Sequence, residues 1–249
     1  MDIYNPFSLS GKTILVTGAS SGIGRSIAVE CSKMGAIVII IARDNARLQE
    51  TLSMLSGEGH QSIQTDLVNI EDIDRLSQSV PAIDGLVNNA GCNKRMLSQY
   101  IKESDLNLVM QTNLFSPILL TKNLLKRKKI KVGGSIVFTS SIAAFHSSIG
   151  DGVYSASKGG LISYARVLAM ELSSKRIRVN SILPGMVKTH LIENGPLTKE
   201  DYEIDEKKYP MGRYGQAQDI GFAAVYLLSD ATQWMTGSSI VIDGGISLI

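Results

Sequence analysis

Short apolar runs alternate along the chain with longer stretches in which apolar residues recur at helical spacing. The short runs are rich in Val and Ile and hold few polar residues, which is typical of strands that helices cover on both faces. The alternation itself is typical of βαβ units and a parallel sheet. Strands are predicted at Thr13–Thr17, Ile37–Ala42, Ser62–Thr65, Gly85–Asn88, Gly134–Thr139, Arg178–Leu183 and Ser239–Ile242.

This order of elements predicts an α/β fold of the doubly wound type, a three-layer sandwich around a seven-stranded parallel sheet. Residues 1–249 are expected to form one domain that binds its ligands at the carboxyl ends of the strands. Two long helices are predicted, over Ser104–Arg127, which Pro117 would bend, and over Val153–Ser173. Residues 190–210 are polar and irregular, and we expect them to cover the ligand site as a lid.

Composition and charge exclude several classes of function. With 249 residues, 44% of them hydrophobic, the chain can bury a large core, and its net charge of +2 gives no basis for binding nucleic acid or a membrane surface. No apolar run is long enough to span a bilayer, and the first residues show no targeting pattern. Cys31 and Cys92 fit neither a metal motif nor a disulfide framework. We expect both to be free thiols packed as small apolar groups in a cytoplasmic protein.

A glycine-rich turn follows the first predicted strand. Gly18, Gly22 and Gly24 lie between that strand and a helical pattern over residues 23–34. Such a turn lets the backbone approach a pyrophosphate, and the start of the following helix offers free N–H groups and a positive dipole end. Glycines at this spacing also occur in purely structural turns, but the strand–turn–helix context favours a dinucleotide site.

The candidate chemistry lies in a tyrosine and a lysine four residues apart in the second long helix. Tyr154 and Lys158 share one helix face, and the ammonium is expected to lower the pKa of the tyrosine from its usual value of about 10. Ser141 follows the fifth strand, where its hydroxyl can bond a substrate oxygen. Tyr154 is then a candidate general acid in carbonyl reduction and a general base in alcohol oxidation. Taken alone, a tyrosine and a lysine at this spacing are more often an ordinary pair on a helix surface. A serine after a strand is more often a turn residue.

Several motifs occur in a fixed order along the chain. They are Thr17-Gly18-Ala19-Ser20-Ser21-Gly22-Ile23-Gly24, Asp66-Leu67, Asn88-Asn89-Ala90-Gly91, Asn113, Ser141, Tyr154 with Lys158, Pro184-Gly185 and Asp243-Gly244-Gly245. Over nearly its whole length the sequence resembles the short-chain dehydrogenase/reductase family of the single-domain type. The resemblance implies a Rossmann-type fold and a catalytic set made up of Asn113, Ser141, Tyr154 and Lys158.

The resemblance also assigns the cofactor contacts. Asp66 is expected to bond the adenine, Lys158 the nicotinamide ribose, and Asn113 a water that links Lys158 to solvent. Val187 and Thr189 are expected to hold the nicotinamide end. The implied cofactor-binding residues are Gly18, Ser20, Ser21, Gly22, Ile23, Gly24, Arg43, Asp66, Leu67, Asn89, Ala90, Gly91, Tyr154, Lys158, Pro184, Gly185, Val187 and Thr189.

The end of the second strand bears on the choice between NAD(H) and NADP(H). By the family's spacing, the position that carries an acid in NAD-dependent members is Ala42 here, and Arg43 follows it. With no carboxylate to repel it, a 2′-phosphate can pair with the arginine through charge-assisted bonds. We therefore expect NADP(H) rather than NAD(H), although Ser21 stands where many NADP-dependent members have a basic residue. The alternative is that Arg43 is a solvated surface charge.

The sequence says less about substrate and partners. Within the family it resembles 3-oxoacyl-[acyl-carrier-protein] reductases, and the basic run Lys126–Lys131 is either a docking site for an acidic carrier protein or a favourable end for a helix. A sugar, steroid or other small ketone is the alternative substrate, and a non-catalytic dinucleotide sensor is the alternative from another class. The apolar C-terminal segment Gly245–Ile249 is expected at a subunit interface, in a dimer or tetramer as is common in the family.

Overall fold

A seven-stranded parallel sheet forms the centre of the molecule in the computed structural model, which describes residues 4–146, 148–188 and 198–249. The strands are β1 (Thr13–Thr17), β2 (Ile37–Ala42), β3 (Gln61–Gln64), β4 (Ile83–Asn88), β5 (Ile130–Thr139), β6 (Arg178–Pro184), β7 (Val187–Lys188), β8 (Gly215–Gln216) and β9 (Ser239–Ile242). Their order in the large sheet is β3-β2-β1-β4-β5-β6-β9, and β7 pairs with β8 separately. The strand order reverses between β1 and β4, so the predicted doubly wound fold is confirmed. Thr189 and residues 190–197 of the expected lid lie outside the described residues.

Helices flank this sheet on both faces. They are α1 (Gly22–Lys33), α2 (Asn45–Ser53), α3 (Ile70–Ser79), α4 (Glu103–Met110), α5 (Ser116–Lys126), α6 (Gly152–Leu172), α7 (Lys199–Glu206) and α8 (Ala217–Leu228). Ile14 and Val16 of β1 belong to a core shared with α1 and α8, and Leu15 belongs to a second core shared with α3, α5 and α6. Successive residues of β1 therefore supply the two cores of a three-layer sandwich. Among the described helices, none combines the length and the apolar character that crossing a membrane requires.

The ends of the strands show where the apolar pattern predicts structure well. β1, β2 and β9 begin and end as predicted, whereas β4 and β5 begin earlier. Ile83 pairs with Ile130 at that earlier start, and Asp84 Oδ2 lies 2.8 Å from Lys131 Nζ. The two charged residues interrupt the apolar pattern, but they pair with each other, and strand pairing resumes after a register shift, with Gly85 opposite Ser135. The prediction therefore began each strand only after the charged residue.

The long helix predicted over residues 104–127 is interrupted. α4 and α5 are separated by a wider π-helical turn, Gln111–Phe115, and Pro117 follows it. Proline lacks the N–H that an α-helix would bond to the carbonyl four residues earlier, and its ring would collide with that carbonyl, which belongs to Asn113. The wider turn avoids the collision. It also contains the side chain of Asn113, which is almost fully buried.

The prediction of irregular structure over residues 190–210 is wrong in its second part. Residues 199–206 form α7, whose N-terminus is closed by a capping box between Thr198 and Asp201. Thr198 Oγ1 accepts from the Asp201 N–H at 3.1 Å, and the Asp201 carboxylate accepts from the Thr198 N–H at 3.0 Å. Capping thus specifies a helix in a segment whose polar composition is typical of a loop.

A buried arginine closes the C-terminal end of α8. Arg178, at the start of β6, donates to the carbonyl oxygens of Leu227 at 2.8 Å and Ser229 at 3.1 Å, and to the Thr232 hydroxyl at 2.6 Å. Carbonyls at a helix C-terminus carry partial negative charge and have no partner within the helix. The guanidinium satisfies them and joins α8 to the sheet.

Replacing Arg178 with Met is expected to lower the free energy of unfolding by about 2 kcal/mol, because the buried carbonyls of Leu227 and Ser229 lose their charged donor. Urea unfolding followed by circular dichroism measures the loss. Arg176→Met is the control, since Arg176 is exposed and its replacement is expected to change the free energy of unfolding by less than about 0.5 kcal/mol. Equal losses in the two variants would contradict this role for Arg178.

Candidate active site

The loops that follow β1 and β4 are joined through one buried hydroxyl. Thr17 Oγ1, at the end of β1, donates to the Val87 carbonyl at 3.2 Å and accepts from the N–H groups of Asn89 at 2.9 Å and Ala90 at 3.1 Å. β1 and β4 are neighbours at the point where the strand order reverses. These bonds therefore fix two edges of the crevice in which a fold of this type binds its ligands.

The glycine-rich turn after β1 approaches the loop after β4 so closely that two of its glycines leave no room for a side chain. A Cβ on Gly18 would lie 2.8 Å from Ala90 Cα, and one on Gly24 would lie 2.2 Å from the Gly18 carbonyl oxygen. Asn89 Nδ2 donates to the carbonyl oxygens of Thr17 at 3.2 Å and Gly18 at 3.4 Å. Two motifs that lie far apart in the sequence thus form one surface.

The N-terminus of α1 is not capped by a side chain. Ser21 is its N-cap residue and makes no side-chain capping bond, and the first turn contains no acidic residue. Gly22 begins the helix with a φ of 52°, a conformation that favours glycine. Free N–H groups and the positive end of the helix dipole suit an anion. The turn that contains Ser20, Ser21, Gly22, Ile23 and Gly24 therefore fits a phosphate group, as the sequence predicts.

A cleft of about 340 Å³ lies beyond the ends of β2 and β3. It is lined by Arg43, Gln64, Thr65, Asp66 and Asp72. Gln64 Nε2 donates to the Arg43 carbonyl at 2.8 Å, and the Asp66 N–H donates to Asp72 at 3.2 Å. The Leu67 carbonyl accepts from the Ser116 hydroxyl, which joins this cleft to α5. The structure thus brings Arg43 and Asp66, predicted from separate motifs, to one cleft of a size that small ligands occupy.

The predicted catalytic side chains meet at the carboxyl end of β5. The side chain of Ser141 lies close enough to the Tyr154 hydroxyl to lower its pKa. Lys158 is 4% exposed, its Nζ donates to the Thr139 carbonyl at 2.8 Å, and the same atom lies 5.6 Å from the centre of the Tyr154 ring. Two hydroxyls therefore lie side by side next to a buried amine.

Asn113 reaches this cluster from the π-helical turn. Its Oδ1 accepts from the Cys92 N–H and its Nδ2 donates to the Cys92 carbonyl, both at 2.8 Å, and Nδ2 also donates to Ser157 Oγ at 3.1 Å. A Cβ on Gly91 would lie 3.2 Å from Asn113 Oδ1 and 3.4 Å from Lys158 Nζ. The amide and the amine are thus neighbours, and a glycine at position 91 leaves the space around them open.

The end of β6 borders the site on the other side. The Gly185 N–H donates to the Ile242 carbonyl at 2.9 Å, and a Cβ on Gly185 would lie 2.8 Å from the Asp243 Cβ. The Pro184-Gly185 motif therefore packs directly against the Asp243-Gly244-Gly245 motif. Val187, in β7, is nearly buried just beyond this contact.

Comparison with known proteins agrees with this geometry. A family model described as enoyl-(acyl carrier protein) reductase matches residues 18–247. The 3-oxoacyl-[acyl-carrier-protein] reductase FabG of Rickettsia felis is 33% identical over 241 residues, which cover 97% of this chain and 99% of that protein. A 3-oxoacyl-[acyl-carrier-protein] reductase of Homo sapiens is 34% identical over 242 residues, 96% of this chain and 99% of that protein.

Solved structures show the same likeness. One from Sinorhizobium meliloti 1021, provisionally assigned as a short-chain alcohol dehydrogenase, has a TM-score of 0.91 and 33% identity, with 98% of this chain and 99% of that chain covered. The chain belongs to the short-chain dehydrogenase/reductase family. A second structure from Agrobacterium tumefaciens, provisionally assigned as a 2-deoxy-d-gluconate 3-dehydrogenase with bound NADP, has a TM-score of 0.89 and 33% identity, with 99% and 100% covered.

In this short-chain dehydrogenase/reductase, burial has the largest effect on the pKa values of Tyr154 and Lys158. Burial raises the pKa of Tyr154 above its ordinary value; the Ser141 hydroxyl lowers that pKa by less, and the negative charge of Asp151 raises it further. Burial lowers the pKa of Lys158 to about 8. The expectation that Lys158 lowers the pKa of Tyr154 is therefore wrong for this structure. Desolvation raises the pKa of Tyr154, and it also disfavours the charged form of Lys158.

The two cysteines are free, as predicted. Cys31 is buried within α1, and burial raises the pKa of its thiol. Cys92 is only partly buried and follows Gly91 beside the catalytic cluster. The expectation that both thiols are packed apolar groups holds for Cys31 alone.

Sequence reasoning missed a polar cluster at the start of α6. Asp151 Oδ1 accepts from Asn93 Nδ2 at 3.0 Å and lies 3.4 Å from Arg95 Nε. Asp151 stands three residues before Tyr154, and this helical spacing is a signal that could have identified it. Asn93 and Arg95 gave no such signal, because the fold alone brings their loop to this helix.

The low pKa of Lys158 makes the stability of the protein depend on pH. Since this pKa is about 8 in the folded protein and ordinarily 10.5 for a solvated lysine, the unfolded chain holds the extra proton between these values. The free energy of unfolding then rises with pH through this window. The parent protein is expected to gain about 3 kcal/mol relative to Lys158→Met between pH 8 and pH 10.5.

Denaturant unfolding at several pH values measures this difference. Lys175→Met is the matched control, because Lys175 is exposed and its removal is expected to leave the pH dependence of unfolding unchanged. Stability curves that run parallel for the parent and Lys158→Met would show that burial of this amine carries no such penalty.

Proposed function

We propose that this protein is an NADP(H)-dependent reductase of carbonyl groups and that its substrate is a 3-oxoacyl thioester. The observation that carries the proposal is that Ser141 and Tyr154 lie together next to the buried amine of Lys158, whose Nζ is 5.6 Å from the centre of the Tyr154 ring. Two adjacent hydroxyls suit a substrate oxygen that gains charge and then a proton. A non-catalytic sensor has no use for such a set.

The reaction follows from the positions of the two hydroxyls. The substrate carbonyl oxygen is bound by both, and Ser141 donates a hydrogen bond that stabilises the charge developing on it. Tyr154 transfers its proton to that oxygen in reduction, and removes the alcohol proton in the reverse direction. Because burial raises the pKa of Tyr154, this group keeps its proton until the substrate oxygen takes it.

The crevice fits a dinucleotide. Gly18 and Gly24 leave a backbone cradle that a Cβ would fill, and the uncapped N-terminus of α1 suits the pyrophosphate. Arg43 is proposed to pair with the 2′-phosphate, Asp66 to bond the adenine, and Lys158 to bond the nicotinamide ribose. When bound, NADP(H) supplies the hydride in reduction and accepts it in oxidation. The other proposed contacts are Ser20, Ser21, Gly22, Ile23, Leu67, Asn89, Ala90, Gly91, Tyr154, Pro184, Gly185, Val187 and Thr189.

Asn113 is proposed to take part in proton return. Its amide lies beside Lys158 Nζ, across the open space at Gly91. A water held by Asn113 in that space would connect the amine with solvent, so that the proton lost from Tyr154 is replaced. The two bonds to the Cys92 backbone fix the orientation of the amide for this role.

The basic run Lys126–Lys131 supports docking of an acidic carrier protein only in part. Arg127 pairs with Asp74 at 2.6 Å, and Lys131 pairs with Asp84 within the sheet. Lys129 Nζ donates to the Val80 carbonyl at 2.6 Å. These three cations have internal partners, so a carrier protein would depend on the exposed Lys126 and Lys128.

A second candidate substrate is a sugar-like hydroxy ketone. The observation in its favour is the likeness to the NADP-bound structure provisionally assigned as 2-deoxy-d-gluconate 3-dehydrogenase. Ser141 would bond its carbonyl oxygen and Tyr154 would protonate that oxygen, as with the thioester. Only the walls of the substrate pocket distinguish the two classes, and a substrate panel decides between them.

Self-association and a cytoplasmic setting complete the proposal. Leu248 and Ile249 are 86% and 77% exposed in the isolated chain, which is unfavourable for a terminal apolar segment in water. Burial of this segment between subunits of a dimer or tetramer would remove that cost. The two free thiols fit a reducing compartment.

A lid over residues 190–210 of one catalytic domain is also proposed, and the described part of this segment supports it. The Tyr214 hydroxyl donates to Asp205 at 2.6 Å, and Lys188 Nζ lies 2.6 Å from Glu206 Oε1. These bonds attach the C-terminal end of α7 to the small β7–β8 sheet, directly after the Pro184-Gly185 wall. The segment is thus anchored beside the site at its far end.

Tyr154→Phe is expected to reduce turnover by about a hundredfold to ten-thousandfold, because Phe keeps the ring and lacks the transferred proton. Binding of NADPH is expected to change by less than about threefold. NADPH consumption is followed optically with an acetoacetyl thioester, an enoyl thioester, a keto sugar acid and small ketones. Tyr164→Phe is the control, since Tyr164 lies on the same helix and its ring packs edge-on against Phe138 at 5.8 Å.

The panel separates the candidate functions. Tyr154-dependent turnover of the acetoacetyl thioester alone supports the proposed substrate, and turnover of the keto sugar acid alone supports the second candidate. Turnover of the enoyl thioester would favour the activity in the description of the matching family model. Activity retained in Tyr154→Phe would contradict the acid–base role, and no turnover with tight NADPH binding would favour a sensor.

Arg43→Met is expected to weaken NADPH binding by about tenfold or more, because a charge-assisted contact with the 2′-phosphate is lost. NADH binding is expected to stay unchanged. Fluorescence titration of both cofactors measures this, with Arg47→Met as the control because Arg47 already lies 3.5 Å from Asp44. Equal affinity of the parent for NADH and NADPH would overturn the cofactor assignment.

A further inference from the structure

A charged cluster lies between the loop after β4 and the first turn of α6. Asp151 Oδ1 accepts from Asn93 Nδ2 at 3.0 Å and lies 3.4 Å from Arg95 Nε. The Asp151 side chain is 13% exposed, whereas that of Arg95 is 58% exposed. The carboxylate is therefore mostly shielded from water and depends on these two partners.

Backbone bonds reinforce the same contact. Arg95 also donates to the Ile149 carbonyl at 3.1 Å, and the Met96 N–H donates to the Gly150 carbonyl at 2.9 Å. On the other side, the Ser155 N–H donates to the Asp151 carbonyl at 2.7 Å as α6 begins. The loop after β4 is thus attached by side chain and backbone to the residues that lead into the helix of Tyr154.

The titratable and hydrogen-bonding groups around Tyr154 come from three elements. Asp151 and Lys158 belong to α6 itself, Cys92 belongs to the loop after β4, and Ser141 follows β5. Burial has the largest effect and raises the pKa of Tyr154, the Ser141 hydroxyl lowers it, and the negative charge of Asp151 raises it further. Among the described residues, Arg95 is the cation paired with Asp151, so its charge offsets the field that this carboxylate exerts on the tyrosine.

We propose that Asp151, Arg95 and Asn93 form a positioning unit that holds the first turn of α6 against the loop after β4 and sets the electrostatic environment of the Tyr154 hydroxyl. The proposal rests on the proposed function of Tyr154 as the acid and base. Asp151 is a positioning residue, because it acts through Tyr154 and not on the substrate. The unit lets the chain adjust the proton affinity of Tyr154 without changing the catalytic residues themselves.

The proposal makes the two charges act in opposite directions. Asp151→Asn keeps an oxygen for the Asn93 amide and removes the negative charge, so the pKa of Tyr154 falls. Arg95→Met leaves the charge of Asp151 without its partner, so the pKa of Tyr154 rises. The pH dependence of kcat/KM for alcohol oxidation, which requires the deprotonated tyrosine, is expected to move by about half a pH unit to lower pH in Asp151→Asn and by a similar amount to higher pH in Arg95→Met.

Three controls separate an electrostatic role from a merely structural one. Lys94→Met removes a cation from the same loop, but Lys94 pairs with Asp105 at 3.1 Å, so its profile is expected to match the parent. Asp151→Glu keeps the charge and is expected to restore the parent profile. High salt is expected to reduce the difference between the pH profiles of the parent and Arg95→Met, because salt screens the exposed charge of Arg95 in the parent.

A second readout is independent of turnover. The ionisation of Tyr154 is taken from the ultraviolet absorbance of tyrosinate, as the difference between each protein and its Tyr154→Phe counterpart, with and without NADP⁺. The expected order of midpoints is Asp151→Asn, then the parent, then Arg95→Met. If the parent shows no turnover, the proposed function fails, but this titration still decides the positioning unit. Midpoints that stay unchanged, or that move the same way in both variants, would overturn it.

Discussion

The burial of one amine governs the rest of the site. Lys158 Nζ reaches the end of β5 through the interior, where it bonds to the Thr139 carbonyl and water has almost no access. A cation in such a place is unfavourable unless nearby dipoles replace its hydration. The carbonyl of Thr139 does so in part, and the lowered pKa of Lys158 shows that the replacement is incomplete. An additional oxygen, from a ribose hydroxyl or a water, would complete the replacement of the hydration of Lys158. The proposed cofactor and the proposed proton path therefore both involve Lys158.

The placement of Asn113 illustrates how a backbone irregularity serves the same end. Pro117 cannot continue a regular helix past the carbonyl of residue 113, and the chain widens into a π-helical turn at that point. Asn113 lies inside this turn, and its amide is held by two bonds to the Cys92 backbone. A proline that a simple helix prediction treats as a defect thus lies beside the part of the helix that contributes to the site.

Most of the fold was predictable because local sequence and global structure agree. β1 and β2 are buried on both faces, so their apolar runs end where the strands end. Prediction lost accuracy where polar residues were stabilised by partners distant in the sequence. Asp84 and Lys131 lengthen two strands by pairing across them, and Thr198 with Asp201 starts a helix in a segment that reads as a loop.

The order of the amino acids was enough to predict the strand–turn–helix that forms the crevice, the shared helix face of Tyr154 and Lys158, and the family to which the chain belongs. These depend on neighbours within a few residues or on motif order, and both are visible in the printed letters. The protonation of the site, in contrast, depends on the folded chain as a whole. The pKa of Tyr154 is raised, contrary to expectation, because desolvation depends on everything packed around the ring and not on the lysine one turn away. The contact of Asp151 with Arg95 and Asn93 was likewise decided by the fold, since it joins segments that only the sheet brings together.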